Sequence, residues 1–255
     1  MRWHDVTARH CRTRDHERSG LDVGIINVVF DFDSTLATTF VGGEMFRGYA
    51  PKDKVTEASA RHKANETSLR VYQEEVFDLI TESTSQMSKR AAENCSIRSL
   101  AHEVCEQVWN SGGTVAVASA GLDFYIQPVL DKAGLNKIQL HSGRVTSDPT
   151  ELPPFRYDYP SSFRETCQSD GVVCKCEVIN SMRRENGGAE SEVIFVGDGV
   201  TSDACAAANA ADKVFATGRL LDYCNKNVIP ATEFGEDFEP VLSYVLSKTS
   251  VNGAQ

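Results

Sequence analysis

Three short, largely apolar runs stand out along the chain, at residues 25–30, 114–118 and 192–196. They are rich in β-branched residues, and polar residues follow each of them. Runs of this kind are typical of strands buried on both faces, as in a parallel sheet. A shorter run at 213–216 predicts a fourth strand, and residues 137–140 predict a weaker one.

Between these runs, apolar residues recur at the spacing of amphipathic helices. Leu69, Tyr72 and Val76, for example, are three or four residues apart. Gly112 and Gly113 supply a stop signal after the third helix. The predicted helices span residues 68–80, 87–92, 97–109, 123–133, 176–184 and 203–209.

Strands that alternate with helices predict an open α/β sheet. We assign residues 25–40 and 111–245 to its core. Residues 41–110 are too long for a simple crossover, so we expect a helical cap followed by a helix that returns to the core. Residues 143–171 contain four prolines and four aromatic residues and predict a long irregular connection.

Each of the three buried runs ends in a polar cluster. Asp31 and Asp33 follow the first run, Ser119 follows the second, and Asp198 follows the third. Ligands of open α/β sheets bind beyond the carboxyl ends of the strands. We therefore expect these four side chains to converge on one site.

The composition changes this picture little. The 255 residues are 41% hydrophobic and 24% charged, which suits a globular protein that buries a sizeable core. No apolar stretch is long enough to span a membrane. The formal net charge of -10 argues against nonspecific binding to nucleic acid or to an anionic membrane surface. A local cation can still make an acidic site receptive to an anion.

Residues 1–24 mix basic and acidic side chains without an apolar segment, so we expect a disordered extension rather than a secretory signal. This expectation places the protein in the cytoplasm with reduced cysteines. Cys167, Cys174 and Cys176 do not match the paired spacing of zinc ligands. They are interpreted as reduced thiols, although a redox role stays open because Lys175 lies beside two of them.

The order of these motifs resembles the haloacid dehalogenase superfamily. Asp31-Phe32-Asp33-Ser34-Thr35 ends the first strand, Ser119 follows the second, a Lys precedes the third, and Gly197-Asp198 ends it. The resemblance extends over residues 25–237. It implies a Rossmann-like three-layer parallel sheet (an α/β fold) with a small helical C1 cap domain.

The resemblance implies that Asp31 is the nucleophile of a phosphatase and carries a covalent phosphate. Asp33 would protonate the leaving oxygen and then activate water. Mg²⁺ would be held by Asp31, the backbone carbonyl of Asp33 and Asp198. Asp203 would bind the metal or orient its water.

The same resemblance assigns the substrate's phosphate group to three residues. The Ser119 hydroxyl and the Ala120 amide, expected at a helix N-terminus, would donate hydrogen bonds to it. Lys175 would supply a positive charge.

Each residue also has a plainer interpretation. Asp33 and Asp198 could be turn residues, Thr35 and Ser119 helix caps, and Lys175 a solvated lysine at a helix end. Their ordered occurrence at three strand ends favours the site.

The acid at Asp33 favours transfer of the phosphate to water, because an ester leaving group needs a proton. Two alternatives remain at this point. One is a phosphotransferase that uses the same aspartyl-phosphate, and the other is a non-catalytic regulatory protein on the same scaffold.

Residues 119–126 and 214–230 resemble one branch of the superfamily. This branch holds phosphoserine phosphatase and the phosphatases of methylthiopentenyl phosphate and of phosphoethanolamine or phosphocholine. Phosphoserine phosphatases place a Glu nine residues after the nucleophile, whereas this chain has Phe40 there. An apolar residue would leave a substrate ammonium unpaired. We therefore expect a small metabolite ester with a neutral or apolar tail.

Overall fold

A computed structural model describes residues 24–162 and 171–249 of the chain. Its centre is a seven-stranded sheet in the order β4-β3-β2-β1-β5-β6-β7. Neighbouring strands are parallel except for the antiparallel pair β3 and β4. The strands are β1 (Ile26–Phe30), β2 (Val115–Leu122), β3 (Gln139–Val145), β4 (Tyr157–Asp158), β5 (Glu192–Gly197), β6 (Lys213–Ala216) and β7 (Thr232–Glu233).

Ten α-helices connect and cover these strands within the described residues. They are α1 (Val41–Phe46), α2 (Lys52–Lys63), α3 (Leu69–Asp78), α4 (Thr84–Asn94), α5 (Ala101–Asn110), α6 (Asp123–Lys132), α7 (Lys175–Glu185), α8 (Asp203–Asn209), α9 (Gly218–Lys226) and α10 (Glu239–Thr249).

Strand β1 lies at the centre of the sheet because both of its faces are apolar. Val28 and Phe30 belong to one core cluster, and Val29 belongs to the other. This alternation follows from the two-residue period of a strand. Phe30 is in register with Val117 of β2 and Val196 of β5, so the polar residues that follow these three positions start at the same level of the sheet.

Helices form a layer on each face of the sheet. Helices α5 and α10 share a core cluster with Val28 and Phe30 of β1. Helices α7, α8 and α9 share the second cluster with Val29. The predicted α/β fold with its parallel sheet and three layers is confirmed.

The sequence located most elements, but some boundaries were wrong. Strand β2 was expected to end at Ala118 and continues to Leu122, through a register shift in its pairing with β3. Ala120 therefore lies in a strand, and α6 begins only at Asp123. The prediction that the Ala120 amide stands at a helix N-terminus is wrong.

Two further predicted segments differ from the structure. Residues 97–100 were assigned to a helix, but α5 begins at Ala101, and Ile97 pairs with Ala37 in an isolated β-bridge. Residues 143–171 were expected to be irregular, yet they contain the end of β3 and the two residues of β4.

Several elements had no predicted counterpart. Helices α1, α2, α9 and α10 and strands β4 and β7 belong to this group. For helix α2 the reason is that its one buried residue is Ala58. A helix that buries so little carries no apolar stripe for a sequence pattern to reveal.

Helices α1 to α4 lie between β1 and β2 in the chain, in the segment assigned to the cap. Helix α2 packs against α3, and α4 packs against α1 and α6. The domain boundaries at residues 40 and 110 stay a prediction. The predicted extension at 1–24 lies outside the described residues except for Gly24.

No helix in the described ranges combines the length and the apolar character that crossing a membrane requires.

Candidate active site

The carboxyl ends of β1, β2 and β5 meet at one edge of the sheet. The chain passes from β1 to β2 on one side and later enters β5 on the other, so the end of β1 is a topological switch point. Asp31 follows β1, Ser119 lies in the last part of β2, and Asp198 follows β5. All three residues line a cavity of about 410 Å³.

Asp31 begins a tight turn at the end of β1. The backbone of Asp33 is extended, and Ser34 has a φ of +62°, in the left-handed region. The amide of Leu36 donates to the carbonyl oxygen of Asp31 at 3.2 Å. A left-handed residue other than Gly is unfavourable, so this turn needs support from its surroundings.

Arg98 gives that support. Its guanidinium donates to the carbonyl oxygens of Ser34 at 2.9 Å and Thr35 at 2.8 Å. The same group donates to the carbonyl oxygens of Gly235 at 2.9 Å and Glu236 at 3.1 Å. Arg98 thus ties the turn after β1 to the segment that precedes α10.

Lys175 opens α7, is fully buried, and contacts the cavity-lining residues Asp31 and Asp203 without being part of the wall itself. Its Nζ donates to Asp31 Oδ1 at 2.5 Å and to Asp203 Oδ1 at 2.6 Å. The interpretation of Lys175 as a solvated lysine is wrong, because no part of it is exposed. An ammonium has three donors, so one remains for another acceptor.

The charges in this cluster shift one another's titration. Although burial favours the neutral amine, Asp203 and Asp31 raise the pKa of Lys175 above its ordinary value. Burial raises the pKa of Asp31, and the Lys175 ammonium opposes that rise. Burial also raises the pKa of Asp198, and Asp203 adds to this effect. A further cation here would favour the ionised carboxylates.

Asp198 and Asp203 are held by neighbouring donors. The Thr35 hydroxyl donates to Asp198 Oδ1 at 3.2 Å. The Gly199 amide donates to Asp203 Oδ2 at 2.9 Å, and the Ser202 hydroxyl donates to Asp203 Oδ1 at 2.9 Å. Since both oxygens of Asp203 already accept hydrogen bonds, this residue is suited to positioning Lys175.

These carboxylates can hold a metal ion. Ligand oxygens of Asp31, Asp198 and Asp203 all lie within 4.8 Å of one another. The set contains only oxygen donors, which Mg²⁺ prefers. When ionised, these three carboxylates carry more negative charge than the Lys175 ammonium can balance, so a divalent cation fits the site electrostatically as well.

Asp33 lies on the other side of the turn and faces α1. Its Oδ1 accepts from the Gly42 amide at 3.0 Å, and its Oδ2 accepts from the Tyr125 hydroxyl at 3.4 Å. Burial raises the pKa of Asp33 to about 6, against the opposing effect of the Gly42 and Val41 amides. A carboxyl in this range can exchange protons near neutral pH.

Ser119 is buried, and its Oγ accepts from the Gly121 amide at 3.0 Å. The hydroxyl proton is then available for an acceptor in the cavity. Helix α6 has Leu122 as its N-cap without a side-chain bond, so the interpretation of Ser119 as its cap is wrong. A Cβ on Gly121 would lie 2.0 Å from the Tyr125 oxygen, so this position excludes larger residues.

Helices α1 and α3 supply the apolar part of the cavity wall, with Phe46, Leu69, Tyr72 and Phe77. Phe77 packs edge-on against Phe46, with ring centres 6.3 Å apart. Gln73 of α3 donates from Nε2 to the carbonyl oxygen of Ala120 at 3.0 Å. This bond connects the helical segment to the end of β2.

The position of Phe40 bears on the substrate. Its side chain lines the cavity and is 54% exposed. Glu44, the nearest acid after the motif, forms an exposed ion pair with Arg47 and is not part of the cavity wall. Within the described residues, the acids that line the cavity are Asp31, Asp33, Asp198 and Asp203.

The cysteines near Lys175 are outside the oxygen cluster. Cys174 is buried, and the Sγ of Cys176 lies 3.1 Å from that of Cys205. None of these belongs to the metal-capable group found among the described residues. Cys167 lies outside the described residues.

Four residues of the site were missed in the sequence. Thr35 belongs to the motif after β1, so its bond to Asp198 could have been anticipated. Arg98, Tyr125 and Gln73 lie far along the chain from their partners, and no spacing rule connects them.

A family model described as haloacid dehalogenase-like hydrolase matches residues 28–208. A 2-hydroxy-3-keto-5-methylthiopentenyl-1-phosphate phosphatase of Bacillus cereus (strain 03BB102) is 29% identical over 85% of this chain and 94% of its own length. The protein of the same name from Bacillus thuringiensis (strain Al Hakam) is 28% identical over the same shares.

Solved structures of similar fold include a phosphoserine phosphatase and a nucleotidase. A phospho-aspartyl intermediate analogue of phosphoserine phosphatase has a TM-score of 0.62 and 19% identity, over 87% of this chain and 98% of that one. Cytosolic 5'-nucleotidase IIIB bound to cytidine has a TM-score of 0.59 and 15% identity, over 91% of this chain and 89% of that one. At these identities the likeness concerns the fold.

Proposed function

The chain belongs to the haloacid dehalogenase-like hydrolases, and on this premise we propose that it is a Mg²⁺-dependent phosphatase of small, apolar-tailed phosphomonoesters that works through a phosphate on Asp31. The observation that carries this proposal is the buried cluster of Asp31, Lys175 and Asp203 at the switch point of the sheet. That the protein is a phosphomonoester hydrolase follows from its family and its named relatives.

The reaction we propose has two steps. A carboxylate oxygen of Asp31 attacks phosphorus, and the bond between phosphorus and the ester oxygen breaks. Asp33 gives its proton to that oxygen, so the product leaves as an alcohol. Water then attacks the aspartyl-phosphate while Asp33 takes a proton from it. Phosphate leaves, and Asp31 and Asp33 return to their starting forms.

The raised pKa of Asp33, about 6, supports this double role. The protonated form is needed in the first step and the ionised form in the second. A carboxyl of ordinary pKa would be almost fully ionised at neutral pH and would rarely hold the proton that the first step needs.

Three groups would stabilise the phosphate during transfer. Lys175 has one donor beyond its bonds to Asp31 and Asp203, and Ser119 has its hydroxyl proton. The amide of Ala120 is the third proposed donor, from its position within β2.

The metal ligands we propose are Asp31, Asp198 and the backbone carbonyl of Asp33. When bound, Mg²⁺ would offset the repulsion between the Asp31 carboxylate and the substrate's phosphate. Asp203 would hold Lys175 in place and contribute charge to the metal site.

The wall of the cavity supports a substrate with an apolar tail. Aromatic residues Phe40, Phe46, Tyr72 and Phe77 line it beside the phosphate-binding end. The Bacillus relatives are named for a methylthiopentenyl phosphate, and a methylthio tail suits such a wall. Helices α1 to α4, proposed as a cap, would limit the substrate to a small molecule.

A panel of esters tests this function. We expect pentyl phosphate and methylthiopentenyl phosphates to exceed phosphoserine in kcat/KM by at least about tenfold, because Phe40 replaces the Glu that would pair with an ammonium and Glu44 is not part of the cavity wall. Phosphate release is measured with Mg²⁺ and with EDTA, and EDTA should abolish it. Phosphoserine as the best substrate would overturn the proposed substrate class.

The same panel separates the two rival functions. Phosphate transferred to an added alcohol rather than to water would indicate a phosphotransferase. A protein that releases no phosphate from any ester would indicate a regulatory role.

Asp33→Asn should discriminate between leaving groups. We expect kcat/KM to fall by about 10²–10⁴-fold for pentyl phosphate, whose alkoxide needs a proton, and far less for p-nitrophenyl phosphate. Both esters form the same aspartyl-phosphate, and Asp33 activates the water that hydrolyses it. The value of kcat should therefore fall for both. Equal losses of kcat/KM for both esters would contradict the assignment of Asp33 as the acid.

A further inference from the structure

Gln73 carries a polar atom that the proposed reaction does not use. The residue lies on α3, lines the cavity and is 9% exposed. Its Nε2 donates to the carbonyl oxygen of Ala120 at 3.0 Å. Its Oε1 is buried and has no hydrogen-bond partner in the described part of the chain.

The partner of Nε2 fixes the orientation of this amide. A backbone carbonyl oxygen only accepts hydrogen bonds, so the end of Gln73 that faces Ala120 must be the NH₂ group. Turning the amide over would place two acceptors against each other. Oε1 is therefore the atom left over, and it needs a donor.

A buried acceptor without a partner is unfavourable and is rare in folded proteins. The apolar part of the cavity wall cannot satisfy it, because Phe46, Leu69 and Phe77 have no polar side-chain atoms. The side chain borders the cavity, which is the side from which a ligand can approach Oε1 while the bond to Ala120 is kept. A group of the substrate can therefore donate the hydrogen bond that Oε1 lacks.

The location of Gln73 restricts where that donor is on the substrate. Covalent geometry places Oε1 about 2.2 Å from Nε2, and thus within about 5 Å of the Ala120 carbonyl oxygen. Ala120 follows Ser119, a proposed phosphate donor. The substrate's hydrogen-bond donor is therefore close to the phosphate and not at the end of the tail.

We propose that Gln73 is a specificity-determining residue that accepts a hydrogen bond from a hydroxyl group next to the phosphate-bearing carbon of the substrate. This proposal rests on the proposed function and narrows its substrate class to hydroxylated, apolar-tailed esters. A neutral hydroxyl suits Oε1 better than an ammonium, because an amide oxygen carries no countercharge.

Two pairs of ligands test this proposal. The esters are 2-hydroxypentyl phosphate and pentyl phosphate, and their non-hydrolysable counterparts are 3-hydroxyhexylphosphonate and hexylphosphonate. Dissociation constants of the phosphonates are measured by calorimetry on the Mg²⁺-loaded protein. We expect the wild type to bind the hydroxylated phosphonate about three- to tenfold more tightly, as one neutral hydrogen bond implies.

Gln73→Leu should reduce this preference to less than about twofold, because it removes the acceptor. Gln73→Met serves if the Leu variant does not fold, and thermal unfolding reports on both. Gln127→Leu, on α6 and outside the cavity wall, is the matched control and should keep the wild-type preference.

The outcomes separate the role of Oε1 from that of Nε2. If Gln73→Leu acts only by losing the bond to Ala120, it should weaken the binding of both phosphonates by the same factor. Such a result would overturn the proposal. Equal binding of both phosphonates by the wild type, or no binding of either, would also overturn it. Hydrolysis of the two esters is scored separately, so an inactive enzyme counts against the phosphatase assignment while the phosphonates still decide the role of Gln73.

Discussion

Replacing Asp31 by Asn should lower kcat by about 10⁴-fold or more, because an amide cannot form the covalent phosphate and loss of a nucleophile has effects of this size. The protein should remain folded. Asn has nearly the shape of Asp, and Lys175 keeps its bond to Asp203 at 2.6 Å. The loss should therefore reflect chemistry rather than stability.

Two measurements distinguish this result from a general defect. Mass spectrometry of enzyme quenched during turnover should find a phosphoryl group on the wild-type peptide that contains Asp31, and none on Asp31→Asn. Asp131→Asn, an exposed change on α6, should keep wild-type activity. Substantial activity in Asp31→Asn, or a phosphoryl group on another residue, would refute the proposed nucleophile.

The sequence was informative where chemistry and local pattern coincide. The run that becomes β1 is apolar on both faces, and the acid that follows it is costly unless it meets a cation. Asp31 therefore indicated a site before any partner was known. The polar ends of β2 and β5 could be assigned to the same site, because parallel strands present their carboxyl ends together.

The sequence did not reveal which distant side chains contact each other, even where it had assigned both residues to the site. Lys175 and Asp203 are separated by 28 positions, and only the packing of α7 against α8 brings them to hydrogen-bond distance. Gln73 reaches Ala120 across 47 positions. Side chains of this kind carry no periodic signal, since their geometry depends on how helices pack.

The substrate was the property hardest to predict from the sequence, for a related reason. The reaction depends on residues at strand ends, whose positions follow from the sheet. The wall proposed to bind the tail of the substrate comes from α1 and α3, which lie far along the chain from β2 and β5. Phe40 alone argued against one class of tail, the ammonium-bearing one, because its position is counted from Asp31, the proposed nucleophile.

Replacing Lys175 by Met tests whether the buried cation holds the site together. The substitution leaves Asp31 and Asp203 buried without their shared partner. We expect the free energy of unfolding in EDTA to fall by about 3–5 kcal/mol, as is usual when one member of a buried ion pair is removed. Urea unfolding measures this change. We also expect kcat to fall by about 10²–10³-fold, the usual effect of losing a donor to a charged transition state.

Repeating the unfolding measurement with Mg²⁺ tests the proposed charge balance of the site most directly. If Asp31 and its neighbours bind Mg²⁺, the ion should restore part of the lost stability of Lys175→Met, because it supplies the missing positive charge. Lys89→Met breaks an exposed ion pair with Glu93 and should change stability by less than about 0.5 kcal/mol with or without Mg²⁺. A Lys175→Met protein that is as stable as the wild type in EDTA would show that the carboxylates are compensated in another way, and the charge balance proposed for this site would then be wrong.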